Sequence, residues 1–357
     1  MANLKPYAVA DNSSKGREHS EAPHPERTAF QLDRDRVIHS RAFRRMNGKT
    51  QVFVAGHGDH YRTRLTHTLE VAQISRDLAR SLGLNEDLAE TIALAHDLGH
   101  TPFGHAGEMA MDRCMQKYGR SFEHNEQSKR VVTTLEYSYP DFPGLNLSFE
   151  VLDGLSKHQT PWDNPETSFS AAPSLEAQIV NIADEIAYSN HDIDDGLRAG
   201  VLSWDELIEL PVVSKVVSKI HDQYGRDFPE RILWARTVSG LIGLMIDELL
   251  KQTCENLRGI ETLYDVYAQK KPLVGFGGGF SREMGDLKEF LQEKFYLNSE
   301  VLKLSKKGEE IIETLFEYYL NNLSEIPEYL RDLGDDIEAV KDYLSGMSDF
   351  FARERFG

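Results

Sequence analysis

His67, the adjacent pair His96 and Asp97, and Asp184 are the residues of this chain whose types and spacing could do chemistry together. Two imidazoles and two carboxylates form a mixed nitrogen and oxygen donor set, suited to a borderline or hard divalent cation. The central pair lies in LAHDLGHTPFGHAGE, where His100, His105 and Glu108 follow within twelve residues. A cation beside groups able to move protons is what hydrolysis of a phosphate ester requires. A lone histidine on an apolar helix face is more often a hydrogen-bonded core residue, so the inference rests on the set. Asp184, in NIADEIAYSNHDIDD, falls on an otherwise apolar helix, where an unpaired carboxylate would be costly. One cation accounts for all four positions.

Three helices must carry these residues. Leu65, Leu69, Ile74 and Leu78 recur at helical spacing and predict a helix over 65–82, with Gly83 placed to cap it. His67 shares a face with Val71 and Ile74 and so points inward. Leu88, Ile92 and Ala95 predict a second helix over 88–98, ended by Gly99, with His96 continuing its apolar stripe. Leu175, Ile179, Ile182 and Ile186 mark the third, with Asp184 off the centre of the stripe. The stretch 149–158 and the loop QTPWDNPETSFSAAPS separate the last two.

Around this frame, a helical pattern begins near Leu32 and runs into the basic HSRAFRRM, and GKTQVFVAGHGDH reads as a short turn or ribbon between glycines. From Trp204 onward helical periodicity dominates, over 232–250, 286–295, 308–323 and 335–351. No internal repeat and no alternation of strand and helix is present. The fold class is therefore all-α, a helical bundle with additional C-terminal helices and at most short β-hairpins. Residues 1–26 are polar, contain Pro6, Pro23 and Pro25, and read as a loose tail. Residues 27–357 read as a single domain, with a metal-binding core over about 60–200 and a helical extension over 201–357. GFGGGF at 275–280 lacks the Gly-Lys-Ser/Thr ending of a phosphate loop and reads as a flexible surface loop. RDLGDDIEAVKDY reads as an acidic, solvent-facing helix.

The chain has 357 residues, ample for a substantial core, with 40% hydrophobic and 27% charged residues. Neither a signal peptide nor a membrane span is evident, and Cys114 and Cys254 offer no disulfide framework; the expectation is a cytoplasmic protein. A net charge of −18 argues against broad nucleic-acid coating. The charge is uneven: from Arg27 to Arg64 there are eight Arg and one Lys against three Asp, a balance of +6, leaving about −24 for the rest. A basic segment beside the candidate metal residues suggests a local anion pocket; a solvated helix face or a subunit contact is equally open.

The ordered set His67, His96-Asp97, Asp184 resembles the H…HD…D signature of HD-domain metal-dependent phosphohydrolases. RTAFQLDRDRVIHSRAFRRMNGKTQVF, YRTRLTHTLEVAQISRDLAR, SFEHNEQS and the late DYLSGMSDFFA are further similar to blocks of the bacterial deoxynucleoside triphosphate triphosphohydrolases, the dGTPase-like branch. The HDxxED pattern of (p)ppGpp hydrolases and the GYP motif of cyclic-dinucleotide phosphodiesterases are absent. The resemblance implies hydrolysis of dNTPs, dGTP among them, to a deoxynucleoside and tripolyphosphate. It implies a divalent cation (Mg, Mn, Co, Ni, Fe or Zn) on His67, His96, Asp97 and Asp184. Such a cation would neutralise charge on the α-phosphate and lower the pKa of a bound water. His105 and Glu108 match the family's catalytic pair; His105 is read as the proton donor to the departing 5′ oxygen, with a nucleophile's role left open. Arg64, His100 and His124 match phosphate-contacting positions. Tyr188 and Asp192, one and two turns past Asp184, match positions that meet the deoxyribose, and Gln51 is a weaker match on the same edge. A homo-oligomer is expected by the same resemblance, and a second dNTP as activator is left open.

Three other readings fit fewer of these residues. Another HD-type phosphohydrolase would act on monophosphates or other phosphoesters. A dNTP-sensing regulator with low turnover would not need His105 and Glu108. A structural metal protein would close its site, whereas surplus histidines favour an open one.

Overall fold

The computed structural model describes residues 4–51, 62–158 and 172–357, and among them the regular structure is helical, with no β-strand. The only strand-like contacts there are isolated bridges, among them Thr50 with Thr63. Residues 52–60 of the expected turn or ribbon GKTQVFVAGHGDH and most of the loop at 159–174 lie outside the described residues.

Seven helices frame the candidate residues: α1 (Ala29–Ile38), α2 (Arg64–Leu82), α3 (Glu86–Ala95), α4 (Gly104–Gln116), α5 (His124–Arg130), α6 (Phe149–Ser156) and α7 (Leu175–Arg198). Their starts are set by short polar side chains that accept otherwise unpaired backbone N–H groups. Thr28, Thr63, Asn85 and Ser174 do this for α1, α2, α3 and α7. Gly83, at φ 69°, ends α2 in the left-handed region open to glycine. Val71, Leu78, Leu88, Ile92, Ile179 and Ile186 are fully or almost fully buried where α2, α3 and α7 meet. Each such side chain contributes about 1.5–3 kcal/mol relative to exposure. α7 is buried nearly all round, so its carboxylates cannot be solvated as surface groups.

The later helices are α8 (Pro211–Tyr224), α9 (Glu230–Asn256), α10 (Gly278–Leu291), α11 (Ser299–Asn321), α12 (Asp336–Ser345) and α13 (Asp349–Phe356). A second hydrophobic cluster joins α4 to α11, α12 and α13 through Met111, Met115, Ile312, Phe316, Leu344 and Ala352. Leu135 and Leu304 pack against both clusters.

Four expectations need correction. The segment read as a loose tail is fastened: Val9 is 1% exposed and its N–H donates to Glu176 Oε1 at 2.9 Å. Arg17 pairs with the buried Asp33, and Lys15 N–H donates to Glu150 Oε1 at 2.7 Å. Its partners lie far away in sequence, which composition cannot show. The second helix ends at Ala95 rather than 98. GFGGGF is not a free loop: Gly277 is the N-cap of α10, whose stripe of Phe280, Met284, Leu287 and Leu291 is buried. Finally, α12 is not purely solvent-facing, because Asp342 is 3% exposed and accepts from Arg130 Nη2 at 2.7 Å.

Candidate active site

The Thr63 cap fixes the start of α2 so that Arg64 and His67 are both buried in its opening turns. His67 Nε2 lies 3.0 Å from Asp184 Oδ1 of α7 and 3.7 Å from Asp97 Oδ2. His96 Nε2 lies 3.4 Å from Asp97 Oδ1 and 3.9 Å from Asp184 Oδ1. His67, His96 and Asp184 form a buried group with one donor atom each within 4.8 Å of the others. Asp97 borders it, its Oδ2 on Arg64 Nη1 at 2.9 Å and its Oδ1 on His100 Nε2 at 3.0 Å. Each carboxylate oxygen has a second lone pair, so Asp97 can still face a cation.

The donor chemistry fits a divalent cation. His96 Nδ1 donates to Ala93 O at 2.6 Å, which fixes the tautomer and leaves the Nε2 lone pair facing the site. That buried Nε2 has no hydrogen-bond partner among the described residues. Burial opposes charge on His67, but the Asp184 carboxylate outweighs it and raises the imidazole. Burial would raise Asp184, yet His158 and His67 bring it well below the usual carboxylate range. Anionic carboxylates beside an orphaned imidazole nitrogen are what a cation would complete.

The turn after α3 is held from another helix. Ser128 Oγ of α5 donates to His96 O at 2.6 Å and accepts from Gly99 N at 2.9 Å. A Cβ at Gly99 would fall 2.2 Å from Ser128 N and 2.4 Å from His124 O, so only glycine permits this approach. The residue that looked like a helix stop is therefore a packing contact. It brings α5, and with it His124, against the His96-Asp97 turn.

A second cluster lies beside the first. The rings of His100 and His124 stack with centroids 3.9 Å apart. Glu108 Oε1 accepts from both the N–H of His124, at 2.9 Å, and its Nδ1, at 2.8 Å. Burial opposes charge on His124, but Glu108 outweighs it and raises the ring to about 9, so it is a cation near neutrality. Burial and the nearby Arg64 and His124 charges lower His100 to about 3, so it is neutral. His105 is 81% exposed in its side chain, and its Nδ1 lies 3.7 Å from Glu108 Oε2, beyond a hydrogen bond. Glu108 is thus engaged first with His124, where the sequence alone suggested His105. His105 projects from a turn in which Phe103 and Gly104 both have positive φ, 65° and 59°.

Asp184, Tyr188 and Asp192 follow one another along one face of α7, all buried. Asp192 accepts a hydrogen bond from Tyr296 Oη, and burial, with Asp195 beside it, pushes its carboxyl up to about 7 despite that bond. Gln51 is half-buried, and its backbone carbonyl would meet a Cβ on Gly104 at 3.0 Å, so it borders the His105 turn.

The basic segment is mostly spent on internal ion pairs. Arg34 binds Asp87 and Glu90, Arg36 binds Glu21, and Arg62 binds Asp194 and Asp195. Of the segment's arginines, Arg64 is the one that reaches Asp97. Three participants were not singled out from sequence. His158, 1% exposed, has Nε2 3.6 Å from Asp184 Oδ2. His191 Nδ1 lies 3.3 Å from His67 Nδ1, and its Nε2 lies 2.6 Å from Glu70 Oε2, a chain that orients the ring of His67. The seven-residue step from Asp184 to His191, two helical turns, was the available signal; nothing in the sequence around His158 marks it.

The family model described as HD domain matches residues 64–189, and the one described as phosphohydrolase-associated domain matches residues 274–357. A deoxyguanosinetriphosphate triphosphohydrolase-like protein of Geobacter sulfurreducens is 46% identical over 365 residues, covering 99% of this chain and 94% of that protein. Proteins of the same name from Leptospira interrogans and Nitrosomonas europaea are 41% and 45% identical, each covering 98% of this chain and 94% and 96% of their own lengths. With the His/Asp cluster carried on the helices that the HD model covers, the chain belongs to the deoxyguanosinetriphosphate triphosphohydrolase-like proteins of the HD-domain phosphohydrolases.

Proposed function

We propose that the protein hydrolyses deoxynucleoside triphosphates to a deoxynucleoside and tripolyphosphate, using a divalent cation held by His67, His96, Asp97 and Asp184. The observation that carries the reading is the adjacency of two clusters. Asp97 borders the group that could hold a cation and pairs with a neutral His100, which stacks on a cationic His124. A bound cation would supply stabilisation of negative charge at the α-phosphate. Arg64, whose planar guanidinium suits bidentate phosphate contact, lies against Asp97 and would hold an adjacent phosphate oxygen. His124 adds positive charge and His100 an uncharged ring to the phosphate path. His105, exposed at the edge of the cluster, would donate the proton to the departing 5′ oxygen. Glu108 fixes His124 by two bonds and keeps a carboxylate near His105. Incubating dNTPs and NTPs with a panel of divalent metals and resolving the products tests this. Tripolyphosphate supports it, whereas orthophosphate or pyrophosphate would favour another phosphohydrolase activity.

Discrimination against ribonucleotides would come from Tyr188, which shares a helix face with the ligand Asp184. An aromatic ring packed on the C2′ edge leaves no partner for a hydroxyl. Burying an unpaired hydroxyl costs on the order of 1–3 kcal/mol, roughly tenfold to a hundredfold in specificity. Tyr188→Ala is expected to narrow the dGTP over GTP preference while bound metal stays unchanged. A variant that only loses stability would make Tyr188 a core residue. Equal turnover of the two nucleotides by the wild type would remove the idea.

A homo-oligomer fits the surface of α9, where Ile232 is 44% exposed and Trp234, Ile242 and Ile246 are only partly buried. No helix among the described residues is long and apolar enough to cross a membrane, so this surface is not a span. Sedimentation at micromolar concentration should show an assembly; an active monomer would contradict it.

A further inference from the structure

Residues 342–349, where α12 passes into α13, hydrogen-bond to the segments that carry or adjoin Gln51, His105 and His124, and reach the His100 carbonyl through Lys49. Asp349 is 2% exposed, and its Oδ1 accepts from Phe103 N at 3.0 Å, two residues before His105. Its Oδ2 accepts from the backbone N–H of Thr50, at 3.2 Å, and from the Thr50 hydroxyl, immediately before Gln51. Lys49 Nζ, buried with its residue, donates to His100 O at 2.5 Å and to Ser345 O at 2.7 Å. Gln127 Nε2, one turn after His124 on α5, donates to Asp342 Oδ1 and Ser345 Oγ, each at 3.0 Å. None of these bonds goes to His67, His96, Asp97 or Asp184.

We infer that this C-terminal turn is a positioning element for His100, His105, His124 and Gln51, acting through Asp349, Ser345 and Asp342, and that it makes no direct bond to His67, His96, Asp97 or Asp184. The inference rests on the functional reading above for what those four residues do. The physical case is strongest at Asp349. Phe103 and Gly104 are consecutive left-handed residues, a conformation that costs a non-glycine residue energy and persists only when its surroundings hold it. The Asp349 carboxylate supplies the acceptor for the Phe103 N–H at that point and, with its other oxygen, ties the same turn to the chain before Gln51. The His105 side chain is 81% exposed, so its position depends on this turn. A shift of about 1 Å in a reacting group can cost roughly a hundredfold in rate.

The test uses the full chain with Asp349→Ala, Asp349→Asn and Lys49→Met. Asparagine keeps an oxygen toward Phe103 N–H, and the Thr50 hydroxyl can reverse to accept from its amide, so it should restore part of what alanine loses. Asp349→Ala is expected to lower kcat about 10–100-fold with manganese affinity within about twofold of wild type. In the metal-free protein, imidazole 15N–1H correlations of His100, His105 and His124 should shift, while those of His67 and His96 stay. Lys49→Met replaces a buried ammonium by an apolar side chain of similar length, and keeps the test open if Asp349→Ala does not fold. It should shift His100 in the same spectra. Unchanged imidazole signals in folded variants, or kcat per folded molecule equal to wild type, would overturn the inference. So would manganese affinity falling in step with kcat. A wild type inactive toward dNTPs would defeat the functional reading instead, and the imidazole spectra would still decide the positioning role.

Discussion

Asp184→Ala is expected to bind metal at least 100-fold more weakly than wild type and to lose turnover with it. Changes to groups that only support metal ligands cost roughly 10–100-fold, and Asp184 is proposed as a ligand itself. Its Oδ1 faces both His67 Nε2 and His96 Nε2, and its Oδ2 faces His158, so one truncation removes the anion around which three imidazoles are arranged. His96→Ala should act in the same direction by a different route. It deletes the one buried imidazole nitrogen of the three-residue group that lacks a hydrogen-bond partner among the described residues. Metal content after dialysis, read beside activity, checks both. Either variant keeping full metal and full activity after chelator treatment and re-addition would show that the cation lies elsewhere.

His105→Ala should separate from these variants. Its side chain is 81% exposed, so truncation creates no cavity and costs little stability. The variant should retain metal content and nucleotide affinity while kcat falls by about 10²–10⁴, the usual scale of general acid and base assistance. Single-turnover rates with bound metal measured in parallel make the comparison. Loss of metal would place His105 in the structural support of the site, and a rate close to wild type would remove it from catalysis. Glu108→Gln tests the neighbouring geometry. Since Glu108 holds His124 by two short bonds and stands 3.7 Å from His105, its change should weaken nucleotide binding as well as turnover.

The meeting of His67, His96 and Asp184 was legible because they lie on or at the end of strongly periodic helices. His67 continues the stripe of Val71 and Ile74, His96 follows that of Leu88 and Ile92, and Asp184 is a charge on a helix otherwise buried. What was hidden depends on partners distant in sequence. Gly99 resembles a helix stop, yet its constraint is the backbone of α5 against it. Glu108 stands three residues from His105, the spacing of a helix pair, but its carboxylate turns to His124, sixteen residues on. Asp342 sits in a stretch whose acidity suggested solvent, yet it is buried, as is Asp349 farther on, because Arg130, Gln127, Thr50 and Phe103 satisfy them. His158 carries no periodic signal at all. Local pattern thus reports which face of a helix is buried, while the pairing of polar groups across the bundle is set by tertiary packing.

Turnover of dGTP in 18O-enriched water, with the products resolved by phosphorus NMR and mass spectrometry, tests the proposed reaction most directly. Attack on the α-phosphorus, with the 5′ oxygen leaving toward His105, predicts tripolyphosphate carrying one 18O at a terminal phosphate and an unlabelled deoxyguanosine. Pyrophosphate or orthophosphate with a nucleotide product, or 18O in the deoxyguanosine 5′ hydroxyl, would contradict it.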